Sequence, residues 1–277
     1  MTANNMILNH LFTQRVIYSL MHARSNEVYG SAVQRYIRDP ANTDNSTLLR
    51  EIYRHMAKEH RNEYFYLNTL FNKLLCGKHS ISTTTALTQI PIHRSKADLI
   101  LINGQAVVYE IKTELDTFNR LDTQLCDYFR AFSHVCVVTS ESQYGRAAHI
   151  LAETPVGIYV LTQQNTLSST LRKEPRADTS KLEHTAIFKV LRKQEYERIL
   201  LRYYSSLPVA SPAFYYGECL KQFSGIPILE AYDLAIRQLK QRNRIALSDF
   251  MRVPFELKSL IYFSRPSKSD LQAINVF

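Results

Sequence analysis

Three residues around the dipeptide Asn103-Gly104 have the types and the spacing of an acid, acid, base site. Asp98 precedes the dipeptide, and Glu110 and Lys112 follow it with one residue between them. Side chains alternate between two faces along a strand, so Glu110 and Lys112 project from the same face. Converging carboxylates repel one another unless a cation neutralises them, and an oxygen-rich site of this kind suits Mg²⁺ or Mn²⁺. Such a site can support hydrolysis of a phosphodiester, in which Lys112 orients or deprotonates the water or stabilises charge on the phosphate.

These residues must be positioned by two adjacent strands joined by a tight turn. Asn-Gly is a strong hairpin signal because a type I′ turn needs positive φ at both central positions. An ideal two-residue turn would place Asp98 opposite Tyr109, on the face away from Glu110. We therefore predict a β-bulge or a sharp strand bend near Asp98, because bulges re-aim side chains and are common beside active sites.

The surrounding pattern predicts helices and strands in the order α-β-β-β-α-β. Pro91 confines the first strand to an edge or a bulge, because proline cannot donate to a central ladder. The predicted elements are a helix over 61–76, a strand over 87–93, the hairpin, a helix over 117–132, a strand over 134–139, a helix over 142–152 and a strand over 156–162.

With an Asp on one strand and Glu-x-Lys on the next, residues 60–162 resemble the PD-(D/E)XK nuclease superfamily, although Ala97 replaces the family's Pro. The resemblance implies an α/β, restriction-endonuclease-like αβββαβ core with a mixed sheet and Mg²⁺ or Mn²⁺ as cofactor. It also implies Asp98, Glu110 and the backbone carbonyl of Ile111 as metal ligands. The alternative interpretation of the acid, acid, lysine trio is a salt-bridge ladder on an exposed sheet face.

Two flanking helices carry further candidates. Glu63 lies on the apolar stripe of the first helix, and a Glu in this place completes the metal site in Holliday junction resolvase-like members. Alternatively, Glu63 is an acid that the helix dipole favours in the first turn. Gln124 and Tyr128 resemble the Gln-x-x-x-Tyr motif of RecB-like nucleases, which positions substrate or metal-bound water. They are equally well explained as a surface glutamine beside a core tyrosine.

Charge composition favours a nucleic-acid partner. The chain has 34 Lys and Arg against 25 Asp and Glu, and most of the excess follows residue 162. A basic face attracts phosphate, so we expect contacts with nucleic acid, DNA in particular. The alternative interpretation of the densest basic run is a solvated helix end, which often has the same composition. The basic residues of that run are Arg237, Lys240, Arg242 and Arg244.

The sequence divides into three regions: a helical extension over 1–60, the nuclease-like core over 61–162, and a basic, aromatic, mostly helical region over 163–277. Without a Cys-x-x-Cys pair, a His-x-x-x-His pair or a glycine-rich phosphate loop, zinc and nucleotide-hydrolysing sites are disfavoured. No apolar run approaches the roughly 20 residues that span a bilayer. We therefore expect no membrane association and a cytoplasmic location in a bacterial or phage context.

The leading hypothesis is a Mg²⁺-dependent nuclease that acts on DNA, as a monomer or as a homodimer. The rival hypothesis is a non-catalytic nucleic-acid-binding or protein-interaction module that retains the fold and uses its acidic residues structurally. A third is a toxin or effector that is active only with a partner protein.

Overall fold

A five-stranded mixed sheet lies at the centre of the computed structural model, which describes residues 6–78, 81–242, 250–264 and 266–275. The strands are β1 (Thr85–Ile92), β2 (Ser95–Asn103), β3 (Gln105–Lys112), β4 (His134–Ser140) and β5 (Gly157–Leu161). They lie side by side in chain order. The pairs β1–β2 and β2–β3 are antiparallel, whereas β3–β4 and β4–β5 are parallel. The predicted α/β class with a mixed sheet is confirmed.

Helices flank the sheet in sequence and in space. The first group is α1 (Met6–Leu11), α2 (Gln14–Met21), α3 (Glu27–Tyr36), α4 (Asn45–Glu59) and α5 (Glu63–Phe71), which continues as a π-helical segment (Asn72–Lys78). The crossover helices are α6 (Leu121–Phe129) and α7 (Glu141–Leu151). The last group is α8 (His184–Val190), α9 (Lys193–Tyr204), α10 (Pro212–Ser224), α11 (Ile228–Leu239), a 3₁₀ turn (Phe255–Leu257), α12 (Lys258–Ser264) and α13 (Lys268–Asn275). In the described ranges, no helix is long and apolar enough to cross a membrane.

Local sequence explains where several helices begin. The side chain of Asn62 accepts a hydrogen bond from the backbone N–H of Phe65 at 3.0 Å and so caps α5. Asp44 caps α4 in the same way through Thr47, at 2.8 Å. These caps satisfy backbone donors that a helix cannot satisfy by itself. The predicted helix over 61–76 therefore starts at Glu63, and its α-helical part ends at Phe71.

Two hydrophobic cores lie on opposite faces of the sheet. Ile100 and Val108 contribute to a core shared with α6 and with α8 to α11. Leu99 and Tyr109, their neighbours along the strands, contribute to a core shared with α1 to α5 and with α12 and α13. This alternation follows from the two-residue period of a strand that is buried on both faces. Helices from both ends of the chain therefore share the second core.

Strand β1 lies at the edge of the sheet, as Pro91 predicted. Pro91 pairs with Lys96 of β2, and among the described residues β1 pairs with no other strand. A missing N–H is tolerated there because one side of an edge strand makes no ladder.

The register of the β2–β3 hairpin differs by one residue from the prediction. Leu99 pairs with Tyr109 and Asn103 with Gln105, so Gly104 alone occupies the tip, with φ of 76°. The expected two-residue turn is therefore wrong. Continued by one residue, this register sets Asp98 on the same face as Glu110 without an inserted residue.

An irregular backbone conformation does occur near Asp98, but it lies in the neighbouring strand β1, at Gln89. Thr88 pairs with Leu99 and Ile90 with Ala97, so Gln89 and Asp98 face each other without an extra residue. The β1–β2 ladder therefore contains no inserted residue at Asp98. Gln89 itself has φ of 55°, a left-handed conformation that is unusual for a non-glycine residue in a strand.

Gly157, the first residue of β5, is closely surrounded by other residues, and its replacement gives a test of the fold. A Cβ atom built on Gly157 would lie 2.8 Å from the Sγ of Cys136 and 2.8 Å from Pro175. Because such overpacking forces backbone shifts, Gly157→Ala should lower the free energy of unfolding by about 1–3 kcal/mol in a denaturant titration.

Gly145→Ala is the matched control. Gly145 lies inside α7, and a Cβ atom there meets no atom within 4 Å. This variant should be as stable as the wild type or more stable by up to about 1 kcal/mol, since alanine has the higher helix propensity. Equal stability of the two variants would contradict the close packing of β5.

Candidate active site

An acidic cavity of about 630 Å³ opens where α5 begins and β3 ends. Its wall includes Glu63, Asp98, Glu110, Lys112 and Asp116. Strands β2 and β3 supply the central acids and the lysine, and the loop after β3 supplies Asp116. The cavity therefore brings together the acid, acid, lysine trio that the sequence singled out.

Glu110 is the most buried acid of the cavity and is held by side chains from β3 and α6. It is 2% exposed. Its Oε1 accepts hydrogen bonds from the Nζ of Lys112, at 2.8 Å, and from the Nε2 of Gln124. Its Oε2 accepts one from the hydroxyl of Tyr128 at 2.5 Å. An unpaired carboxylate at this depth would be unstable, so these three donors are what permit its burial.

Lys112 is tied to the same network on its other side. Its Nζ also donates to the Oε1 of Gln124 at 2.8 Å, and the residue is only 8% exposed. Gln124 thus bridges the lysine and the carboxylate, donating to one and accepting from the other. The geometry orients the ammonium group toward the cavity wall, where it ion-pairs with Glu110.

Tyr128 is fully buried and anchors Glu110 from behind. Its hydroxyl has one proton and lies 2.5 Å from Glu110 Oε2 and 3.0 Å from the carbonyl oxygen of Lys96. Burial, followed by the nearby charge of Glu110, raises the pKa of Tyr128 far above its usual range. The phenol therefore remains a donor at every physiological pH, which suits a positioning role.

Asp98 faces Glu110 across the hairpin, and its charge is disfavoured there. Its Oδ2 accepts a hydrogen bond from the backbone N–H of Ile111 at 2.8 Å. Burial, and after it the repulsion from Glu110, raises the pKa of Asp98 to about 8, against the opposing effect of the Ile111 N–H. Two carboxylates in this relation need a proton or a cation to share the site.

Glu63 lies at the rim of the cavity, in the first turn of α5. Its side chain is exposed rather than turned into the sheet as the apolar stripe predicted. Desolvation at the rim, followed by repulsion from Asp116 and Glu110, raises its pKa. The residue is thus near the other acids, and its position also suits the interpretation as an acid at the N-terminus of a helix.

The loop after β3 is ordered by its own side chains. Asp116 Oδ2 accepts from the backbone N–H of Thr113 at 2.8 Å and from its hydroxyl at 2.7 Å. Arg61 forms an ion pair with Glu114 and donates to the carbonyl oxygen of Thr162 at 2.6 Å. These contacts fix the loop and place Asp116 in the cavity wall.

A buried acid next to Tyr128 was missed in the sequence. Asp127 is 4% exposed, and its carboxylate accepts from the hydroxyl of Ser95 at 2.7 Å and lies 3.0 Å from the Nδ1 of His93. These contacts tie α6 to the β1–β2 turn and thereby fix the position of Tyr128. An acid beside the inward tyrosine of an amphipathic helix was the available signal.

The oxygen-rich character of the cavity fits a hard divalent cation. Within the described ranges, however, no three acidic, histidine or cysteine side chains are already arranged to hold a metal ion. The carboxylates of Asp98 and Glu110 are close, but Lys112 and Gln124 both donate to Glu110 Oε1. Oε2 accepts one hydrogen bond, from Tyr128, so it keeps a lone pair that a cation can use without displacing a donor. Ile111, whose carbonyl group is the further expected ligand, also lines the cavity.

The basic run of the C-terminal region lies apart from the acidic cavity. Arg237 and Lys240 are exposed and line a second cavity. The side chain of Arg242 is 4% exposed and donates to both carboxylate oxygens of Glu195, at 2.7 and 2.6 Å, so it is not available to a phosphate. The expected nucleic-acid contact of Arg242 is therefore corrected to a structural ion pair. Arg244 falls outside the described residues.

Comparison with known proteins identifies the family. The model of the family described as bacteriophage P4 protein cII matches residues 56–272, most of the chain, so the chain belongs to this family. No curated protein and no solved structure matches it significantly. The matched segment includes all the residues of the acidic network, from Glu63 to Tyr128. The family description names no reaction, so the chemistry has to be argued from the site.

The raised pKa of Asp98 predicts a pH-dependent effect of Asp98→Asn on stability. Above about pH 3.9 the unfolded chain loses this proton, whereas the folded protein keeps it until about pH 8. The folded state thus binds more protons in this window, and the stability contributed by Asp98 falls as the pH rises through it. An asparagine side chain does not titrate, so the variant should gain stability over the wild type as the pH rises from about 5 to about 8.

Thermal unfolding in EDTA at these two pH values measures the gain in stability. A shift of about 2–4 °C in the midpoint Tm corresponds to about 1 kcal/mol in the free energy of unfolding. Asp122→Asn is the matched control, because Asp122 is exposed in the first turn of α6. It should show no gain that grows with pH. A gain for Asp98→Asn of the same size at both pH values would contradict the raised pKa.

Proposed function

We propose that this protein is a metal-dependent nuclease that hydrolyses phosphodiester bonds of DNA, built on a restriction-endonuclease-like αβββαβ core of the PD-(D/E)XK type. The observation that supports the proposal most is the network around Glu110. Asp98, Glu110 and Lys112 from two neighbouring strands line one cavity. Gln124 and Tyr128 from the next helix hydrogen-bond to Glu110, and Gln124 also accepts from Lys112. A salt-bridge ladder on an exposed sheet face does not explain a buried Glu110.

The metal-holding residues under this proposal are Asp98, Glu110, the carbonyl of Ile111 and, at the rim, Glu63. A bound Mg²⁺ or Mn²⁺ would polarise the phosphate and lower the pKa of a water molecule. The raised pKa of Asp98 is consistent with a site that lacks neutralising charge on its own. A cation relieves the repulsion between Asp98 and Glu110, so occupancy and full ionisation favour each other.

The remaining residues would orient the reacting groups. Lys112 presents an ammonium group beside Glu110, a place from which it can hold the attacking water or stabilise charge on the phosphate. Gln124 fixes Lys112 through its amide oxygen, and Tyr128 fixes the carboxylate of Glu110. Lys96 is exposed on β2, and its charge partly opposes the rise in the pKa of Glu63. It is therefore near the cavity and is a candidate for contact with the substrate backbone.

The second candidate is a non-catalytic nucleic-acid-binding or protein-interaction module. Its supporting observation is that both oxygens of Glu110 already have donors within the protein. In such a module the network stabilises the docking of α6 on the sheet and binds no metal. A partner-dependent effector is a variant of the first proposal, in which cleavage requires a partner protein or a homodimer.

Cleavage assays with matched variants separate the candidates. The substrates are circular single-stranded, circular duplex and linear duplex DNA, with Mg²⁺, Mn²⁺ or EDTA. Glu110→Gln keeps the size of the side chain but removes its charge, and Lys112→Met keeps most of the aliphatic stem. Lys112→Met should reduce metal-dependent cleavage by about 10²–10⁴-fold, the usual contribution of a positioned acid–base group. Glu110→Gln should reduce cleavage at least as strongly, because it removes the charge of a proposed metal ligand. Cleavage of the circles would identify an endonuclease.

Glu218→Gln and Lys221→Gln on α10 are the controls, since both residues are exposed and lie outside the acidic cavity. They should cleave at the wild-type rate. If Glu110→Gln cleaves as fast as Glu218→Gln, the site is not catalytic. If no substrate is cut and DNA binding is the same in EDTA for all variants, the protein is either the binding module or the partner-dependent effector.

A further inference from the structure

A second cavity, of about 550 Å³, lies between the entry to β1 and the helices α9 and α11. It shares no lining residue with the acidic cavity. Its volume is in the range of roughly 300–1,000 Å³ that is usual for small-molecule sites. The hydroxyl of Thr85 donates to the backbone carbonyl of Lys240 at 2.5 Å, which fixes the end of α11 against β1.

The charge on this cavity is positive. Arg202 on α9 and Arg237 on α11 line it together with Lys240, which follows α11. Among its lining residues in the described part of the chain, none is acidic. Three cations around a concave surface focus a positive potential, and arginine pairs well with phosphate because its planar group donates two parallel hydrogen bonds.

The wall of the cavity also contains buried polar groups that lack partners. Thr84 is 2% exposed, and its hydroxyl has no hydrogen-bond partner among the described residues. The same is true of the Oε1 of Gln238 on α11. Leaving such atoms unsatisfied lowers stability, and in native proteins it usually has an explanation such as a ligand or water. A ligand that accepts from Thr84 and donates to Gln238 would satisfy both.

Apolar side chains complete the wall. Ile81, Ile199 and Leu234 lie among the cations and hydroxyls. Inorganic phosphate would use the cations but not this apolar surface. A ligand with a phosphate, a hydroxylated sugar and a flat ring would use all three kinds of group.

From these observations we propose that the cavity binds a mononucleotide. Arg202, Arg237 and Lys240 neutralise the phosphate, and Thr84 donates to a phosphate oxygen. Gln238 accepts a hydrogen bond from the sugar or the base, which packs against the aliphatic side chains. The proposal is independent of the nuclease proposal, because no residue of the acidic network takes part.

Equilibrium binding of AMP, ATP and inorganic phosphate, measured by isothermal titration calorimetry on the full chain, tests this site. AMP and ATP should each bind one per chain. The double variant Arg237→Gln/Lys240→Gln should weaken their binding at least tenfold. The control double variant Arg198→Gln/Lys221→Gln removes the same charges from exposed positions outside the cavity, and it should bind as the wild type does.

Thr84→Val tests the polar wall without altering the charge. It removes a hydroxyl that has no partner in the described structure, so the folded state should be at least as stable as the wild type in thermal unfolding. Nucleotide binding should nevertheless weaken several-fold. Unchanged nucleotide binding in both Thr84→Val and Arg237→Gln/Lys240→Gln would overturn the assignment.

Further measurements distinguish a mononucleotide from nucleic acid and from inorganic phosphate. They also distinguish failure of this proposal from failure of the nuclease proposal. If a single-stranded oligonucleotide binds and AMP and ATP do not, the cations contact nucleic acid and the mononucleotide site is wrong. Binding of inorganic phosphate as tightly as AMP would also overturn it, because the sugar and base would then contribute nothing. Nucleotide binding should persist in Glu110→Gln, so a failed cleavage assay and a failed binding assay have separate meanings.

Discussion

The burial of the Glu110 carboxylate is the constraint on which the rest of the candidate site depends. A negative charge at 2% exposure has to be matched by donors, and here they come from β3 and from α6. Helix α6 must therefore dock with Gln124 and Tyr128 facing the sheet. Asp127 strengthens this docking because it ties the same helix to the β1–β2 turn. The fold and the site are thus stabilised by one network.

Asp98, in contrast to Glu110, is a carboxylate whose charge the surrounding structure destabilises. Its carboxylate is placed where burial and Glu110 both disfavour its charge, whereas the N–H of Ile111 and the ammonium of Lys112 favour it. A residue kept in an electrostatically unfavourable place is more typical of functional sites than of structural ones. The left-handed Gln89 lies in the strand that faces it, so an irregular backbone and an unfavourable charge occur together in the same part of the sheet.

Local patterns predicted the strands but not their register. Alternation placed Glu110 and Lys112 on one face, and Pro91 placed β1 at the edge, because both inferences depend only on neighbours in sequence. The one-residue tip at Gly104 could not be predicted, since Asn-Gly favours two-residue turns and the competing choice depends on packing of the whole sheet. Likewise, the partner of Arg242 is Glu195, far away in sequence, so a basic run predicted exposure where the fold produces a buried ion pair.

The sheet topology explains why side chains from several elements meet at the C-terminal end of β3. Strand β3 pairs antiparallel with β2 and parallel with β4, so the chain must leave its C-terminal end through a crossover that contains α6. Within this crossover, α6 places Gln124 and Tyr128 next to the carboxylate of Glu110 on β3. Glu63 and Asp116 approach the same end of β3 from α5 and from the loop. A site at this point therefore draws side chains from both helical layers, which a site in the middle of either sheet face could not do.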